Sequence, residues 1–131
     1  MKPLTVKITK AFTFDAAHFL PEHDGKCAAM HGHTYRLEVS VARADGRLIA
    51  EGPSAGMVID FFHLNQLVKA EIIDKVDHTI LNDVFTFRTT SENLACHFYQ
   101  VLAQKLGPLG VRVATVKLWE TPTSYVEVGD E

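Results

Sequence analysis

The sequence predicts an α+β fold in which helices cover one face of an antiparallel sheet. Three observations carry that reading. Residues 4–15 and 34–43 alternate apolar and polar side chains with a period of two. Phe61 to Val76 and a stretch from about Thr89 to Leu106 repeat apolar residues at helical spacing. Residues 111–120 and 124–128 alternate again. The order β-β-α-α-β-β groups strands at both ends and helices between them, as expected when a sheet buries one face under helices.

In residues 4–15, Leu4, Val6, Ile8, Phe12 and Phe14 share one parity, and only Lys10 interrupts it. Residues 21–30 carry Pro21 and Gly25 and read as a loop. Tyr35, Leu37, Val39 and Val41 give the second strand one apolar face, and the two strands are expected to pair antiparallel. Ala44-Asp45-Gly46-Arg47 is a turn signal. Asp60 stands where it can cap the first helix. Leu64, Leu67, Val68 and Ile72 form that helix's buried stripe, and Glu71 and Lys75 form a favourable pair across one turn. Asp77 to Asn82 breaks the pattern and reads as a loop. Thr89 and Glu92 fit a capping box for the second helix. Leu94, Phe98, Val101, Leu102 and Leu106 form its stripe, and Gly107-Pro108 ends it.

The chain of 131 residues is expected to form a single domain over 1–131. Hydrophobic residues make up 47%, enough for a real core. A net charge of −3 argues against a nucleic-acid surface, which would be basic. No apolar run approaches a membrane span, and the N-terminus lacks a signal peptide's apolar core. Two cysteines, Cys27 and Cys96, make no disulfide framework. The expectation is a soluble cytoplasmic protein with reduced thiols.

Seven histidines in so short a chain direct attention to Cys27-Ala-Ala-Met-His31-Gly-His33. In extended chain, His31 and His33 project to one face and can converge on one ion. His18 follows the first strand, so a hairpin would bring it to the same place. Three imidazoles with an open position suit zinc. Cys27 is either a further ligand or a reactive thiolate beside the metal. Asp77-His78 has the form of a carboxylate orienting an imidazole for acid–base work. Read alone, it better fits a solvated helix end. Glu120 can accept paired hydrogen bonds from a planar guanidine-like edge, or simply end a strand. Cys96, His23, His63 and His97 read as structural.

Together these motifs resemble a known family. Cys27-x-x-x-His31-Gly-His33, Gly56-Met-Val-Ile-Asp60-Phe61, Asp77-His78-x-x-Leu81-Asn82, Thr90-Ser-Glu92-Asn93 and Trp119-Glu120-Thr121 follow the order and spacing of the 6-pyruvoyltetrahydropterin synthase family. The similarity is greatest to its bacterial branch, which forms a 6-carboxy product for queuosine biosynthesis. It runs from about Phe12 to Tyr125. One departure is Thr89, where the family often has proline; Thr89 is expected to cap the helix instead.

The resemblance implies a tunnelling fold (T-fold) and a homohexamer built as a dimer of trimers, with active sites between subunits. It implies zinc on His18, His31 and His33, Cys27 as catalytic thiol, and Asp77 and His78 as an acid–base pair that can reach a neighbour's site. Glu120 would anchor the amino-pyrimidine edge of a pterin triphosphate substrate, with help from Thr90. A 6-pyruvoyl product is the alternative within the family. A non-catalytic zinc or pterin module is another, but binding alone needs no base. A zinc hydrolase would want a carboxylate to activate water, and no His-Glu-x-x-His motif occurs.

Overall fold

The structure, a computed structural model, describes residues 4–129. Strand β1 (Ile8–His18) and strand β2 (His31–Arg43) form an antiparallel hairpin. Helix α1 (Phe61–Val68) runs through a π-helical turn (Lys69–Ile73) into α2 (Asp74–Val76). Two short elements follow, β3 (Thr79–Ile80) and α3 (Leu81–Val84). Helix α4 (Ser91–Leu106) leads to β4 (Val111–Thr121) and β5 (Ser124–Gly129). The sheet order is β3-β1-β2-β4-β5.

The alternation seen in the sequence sorts the two faces. Phe14 and Ala16 of β1, Tyr35 to Val41 of β2 on odd numbers, and Val116 and Leu118 of β4 are buried. They meet Leu64, Val68 and Ile72 of the first helical segment and Leu94, Phe98, Leu102 and Leu106 of α4 in one core. Phe14 stacks on Tyr35 with ring centroids 4.8 Å apart. The opposite face carries polar residues such as Thr9, Thr13, Thr34 and Arg36, and Trp119 there donates to Glu38.

Several boundaries differ from expectation, each for a local reason. Residues 4–7 lie outside the sheet, and Leu4 is 91% exposed. Ile8 pairs with Val41, and β2 ends at Arg43 before the turn, so residues 4–7 run beyond most of the strand they would pair with. At the other end both strands run further than the alternation suggested, because His18 pairs directly with His31. The first helix does span Phe61 to Val76, but its π turn takes an extra residue per turn, and the adjacent Ile72 and Ile73 are both buried. Asp60 caps it, accepting from the Phe62 amide at 2.8 Å, and Lys75 sits 3.6 Å from Glu71. The stretch from Asp77 to Asn82 is more than a loop: Thr79 and Ile80 add a parallel strand beside Ala16 and Ala17. The sheet is therefore mixed rather than purely antiparallel.

The cap of α4 is Thr90, not Thr89. Thr90 Oγ1 accepts from the Asn93 amide at 3.2 Å. Thr89 is fully buried and faces His18 instead. Behind the sheet, the Arg43 guanidinium donates to the carbonyls of Val58 and Leu109, tying three segments together. Gly110 is needed there: its φ is +76°, and a Cβ would lie 2.5 Å from Arg43 Nη2. Among the described residues no helix is long and apolar enough to cross a membrane.

Candidate metal and pterin site

Three buried stripes of the sheet end in polar residues at the same edge of the core. In β1 the stripe Phe14, Ala16 ends in His18. In β2, read backwards, Leu37 and Tyr35 lead to His33 and His31. In β4, Val116 and Leu118 lead to Glu120. Because side chains alternate along a strand, all four residues emerge on the helix-covered face. The register sets His18 opposite His31 and Ala16 opposite His33. The three imidazole centroids lie 4.6, 5.4 and 4.9 Å apart. One ligand atom from each of His18, His31, His33 and Glu120 lies within 4.8 Å of the others.

The protonation pattern of these rings suits a metal. His18 Nδ1 donates to the Thr89 carbonyl at 2.8 Å, with Thr89 Oγ1 at 3.2 Å. His31 Nδ1 donates to the Ala29 carbonyl at 2.8 Å. Those bonds place the proton on Nδ1 and leave Nε2 with a free lone pair, as in metal-binding histidines whose second nitrogen is held by a carbonyl. His31 Nε2 and His33 Nε2 are buried without a hydrogen-bond partner among the described residues. Glu120 Oε1 lies 2.9 Å from His33 Nε2 but out of hydrogen-bond alignment. A buried nitrogen with no partner is costly; an ion at the convergence point would satisfy the set.

The electrostatics favour the same state. Burial pushes the pKa of His18 below its ordinary value, the Thr89 carbonyl opposes this, and the neighbouring His31 and His33 reinforce it. His33 is lowered by burial too, against the pull of Glu120. Neutral imidazole is the form a metal requires. Beneath them Tyr35 is raised by burial and by the Glu120 charge, so its phenol stays protonated. Its oxygen is 3.5 Å from His18 Nε2.

Asp77 and His78 also meet, but apart from this group. His78 Nδ1 is 3.1 Å from Asp77 Oδ2. Asp77 Oδ1 accepts from the Asp15 amide at 2.9 Å, which lowers its pKa most, and His78 adds to that. The His78 amide donates to the Asp15 carbonyl at 2.6 Å, in a left-handed conformation with φ of +61°. Asp15, whose carboxylate accepts from Thr34, is thus the backbone clamp of the pair. Its parity places it on the face away from the core. An open cleft of about 490 Å³ there is lined by Asp15, Gly32, His33, Thr34 and His78. A second, of about 630 Å³, is lined by His33, Tyr35, Trp119 and Glu120 among others. Gly32 borders both, and a Cβ on it would meet only Ala16 O at 3.7 Å.

Cys27 lies on a short 3₁₀ turn (Lys26–Ala28) in the loop joining β1 to β2, closed by the Leu20 amide on the Cys27 carbonyl at 2.7 Å. Its thiol is half-buried and is not one of the converging ligand atoms. Thr90 is occupied as a helix cap, although its hydroxyl proton remains to donate. Sequence reasoning missed four contributors: Thr89, Ser91, Asp15 and Thr34. Ser91 Oγ donates to Glu120 Oε2 at 2.5 Å. Nothing in the period of α4 singles out Ser91 or Thr89, since both act across the fold. The parity of β4, however, already points Glu120 inward.

The chain is similar to known proteins in sequence and in fold. A family model described as 6-pyruvoyl tetrahydropterin synthase matches residues 7–131. The chain is 37% identical to a 6-carboxy-5,6,7,8-tetrahydropterin synthase of Haemophilus influenzae, over 92% of this chain and 96% of that protein. It is 41% identical to the protein of the same name from Synechocystis, over 89% and 88%. The fold matches the Caenorhabditis elegans 6-pyruvoyl tetrahydropterin synthase structure with a TM-score of 0.79 and 26% identity, covering 100% of this chain and 99% of that one. With its family model, its relatives and its fold in agreement, the chain belongs to the 6-pyruvoyl tetrahydropterin synthase family.

Proposed function

We propose that the protein converts 7,8-dihydroneopterin triphosphate and one water to 6-carboxy-5,6,7,8-tetrahydropterin, acetaldehyde and triphosphate, in queuosine biosynthesis. The observation that carries this is the convergence of three imidazole nitrogens, two of them fixed as Nδ1–H tautomers, at the edge of the core, in a chain 37% identical to a relative that bears this enzyme name. His18, His31 and His33 would hold zinc, with Glu120 within reach. Bound there, the ion would supply Lewis-acid polarisation of the substrate's side-chain hydroxyls.

The chain's own groups do the rest. Glu120 accepts hydrogen bonds from the amino-pyrimidine edge of the pterin, and the Thr90 hydroxyl donates beside it. Cys27, as thiolate, takes a proton from a side-chain carbon and drives an internal redox shift into the ring. His78, held by Asp77, carries protons to and from a side-chain hydroxyl. Its side chain is 78% exposed, which fits a group completing a neighbour's site in a homohexamer. On this reading the protein works in the cytoplasm, where Cys27 would stay reduced.

The 6-pyruvoyl product is the second reading, because the family model and the worm structure carry that name. The same residues would then act without carbon–carbon cleavage. Cys27→Ala tests the chemistry common to both. General-base catalysis is typically worth roughly 10²–10⁴-fold, so turnover should fall by about that factor while zinc content, read by atomic absorption, stays at wild type. Near-wild-type turnover in this variant would remove Cys27 as the base.

A further inference from the structure

Ser91 has no part in the mechanism above, yet it is the buried residue that touches Glu120. It is the first residue of α4 and only 5% exposed. Its Oγ donates to Glu120 Oε2 at 2.5 Å. The other carboxylate oxygen, Oε1, lies 2.9 Å from His33 Nε2. Glu120 is a long side chain at a strand end, 30% exposed and bordering the larger cleft. Left alone it has two easy alternatives: to turn both oxygens onto the histidine group, or to swing into solvent. A hydrogen bond from a buried hydroxyl to a carboxylate is strong and directional. It commits one oxygen to the helix side, where the first-turn amides of α4 also favour negative charge.

We propose that Ser91 is a positioning residue for Glu120: it fixes Oε2 so that the carboxylate keeps one oxygen off the histidines and presents an edge to the substrate's amino-pyrimidine. This rests on the reading of Glu120 as the pterin anchor. Each carboxylate oxygen has two lone-pair directions. Ser91 uses one on Oε2, and the remaining positions stay free to accept from the pterin. Ser91 therefore acts through Glu120 and does not touch substrate itself.

The test uses the zinc-loaded protein and unsubstituted pterin, the 2-amino-4-oxo ring without side chain or phosphate, with binding read by ligand fluorescence. Ser91→Ala should weaken pterin binding roughly tenfold, as for loss of one charge-assisted hydrogen bond. KM for the triphosphate substrate should rise by a similar factor. Glu120→Gln should weaken binding at least as much, and the double variant should be no weaker than Glu120→Gln alone, because both remove one interaction. Ser91→Thr should retain affinity and Ser91→Val should lose it; these two share shape and differ in the hydroxyl, so the comparison stands even if Ser91→Ala folds poorly. If Glu120→Gln weakens binding while Ser91→Ala and Ser91→Val match wild type, the positioning role is overturned and the anchor stands. If Glu120→Gln itself binds pterin as wild type does, the anchor reading fails and the proposal falls with it.

Discussion

His31 and Asp77 belong to two separate groups of side chains. His31 has its Nδ1 held by the Ala29 carbonyl and its Nε2 free among the other imidazoles. His31→Ala should therefore lose metal first: zinc content falls well below one ion per chain, and turnover falls with it. Full zinc occupancy in that variant would contradict the ligand assignment. Asp77 instead lies in the Asp15 and His78 clamp, outside the converging group. Asp77→Asn keeps an acceptor for the Asp15 amide but removes the anion beside His78. Turnover should drop by roughly 10²-fold with zinc content and pterin affinity unchanged. Loss of zinc from Asp77→Asn would show that the two groups are one site. At this scale much was legible. The spacing of His31 and His33, and the position of His18 after a strand, were enough to anticipate convergence. Thr89 and Ser91 were not, because their importance comes from what α4 is packed against rather than from any local pattern.

At the scale of elements, strand parity is the strongest signal in this chain. It sorts Phe14, Tyr35, Leu37 and Leu118 into the core, and extended by one or two steps it also delivers the four polar residues of the site. Boundaries were less legible. The sheet ends where partners run out, as at residues 4–7, and such pairing is a property of two segments together. The π turn and the short parallel strand β3 leave no periodic trace either. Capping shows the same limit: the Thr89 to Glu92 spacing fits a box, but His18 draws Thr89 inward and Thr90 takes the cap. Gly110, with φ of +76° beside Arg43, closes the passage from α4 to β4. Gly110→Ala should destabilise by about 1–3 kcal/mol, from left-handed strain and displacement of the guanidinium. Chemical denaturation measures it; an unchanged midpoint would mean Arg43 is not held as described. Gly32, in contrast, has room for a side chain, so Gly32→Val should fold and fill the mouth of both clefts, lowering turnover without lowering the melting temperature.

For the molecule as a whole, burial of histidines links stability to pH. His18, His33 and His97 all have pKa values held below the ordinary 6.5, in each case chiefly by burial. An unfolded chain protonates these rings at their ordinary value. As pH falls below that value the unfolded state binds more protons than the folded one, so stability present above it is lost as pH drops through the folded values. The metal-free protein should therefore melt at progressively lower temperature between about pH 7 and pH 5. A melting temperature that held constant or rose on acidification would contradict the burial of these rings. Zinc binding needs the same neutral imidazoles, so the metal's added protection should fade in the same direction.

The central claim is the reaction, and product analysis tests it most directly. Zinc-loaded protein mixed with 7,8-dihydroneopterin triphosphate should yield acetaldehyde and a 6-carboxypterin in equal amounts. A 6-pyruvoyl product without acetaldehyde would contradict the carbon–carbon cleavage, and absence of turnover with both zinc and pterin bound would contradict the enzymatic reading itself.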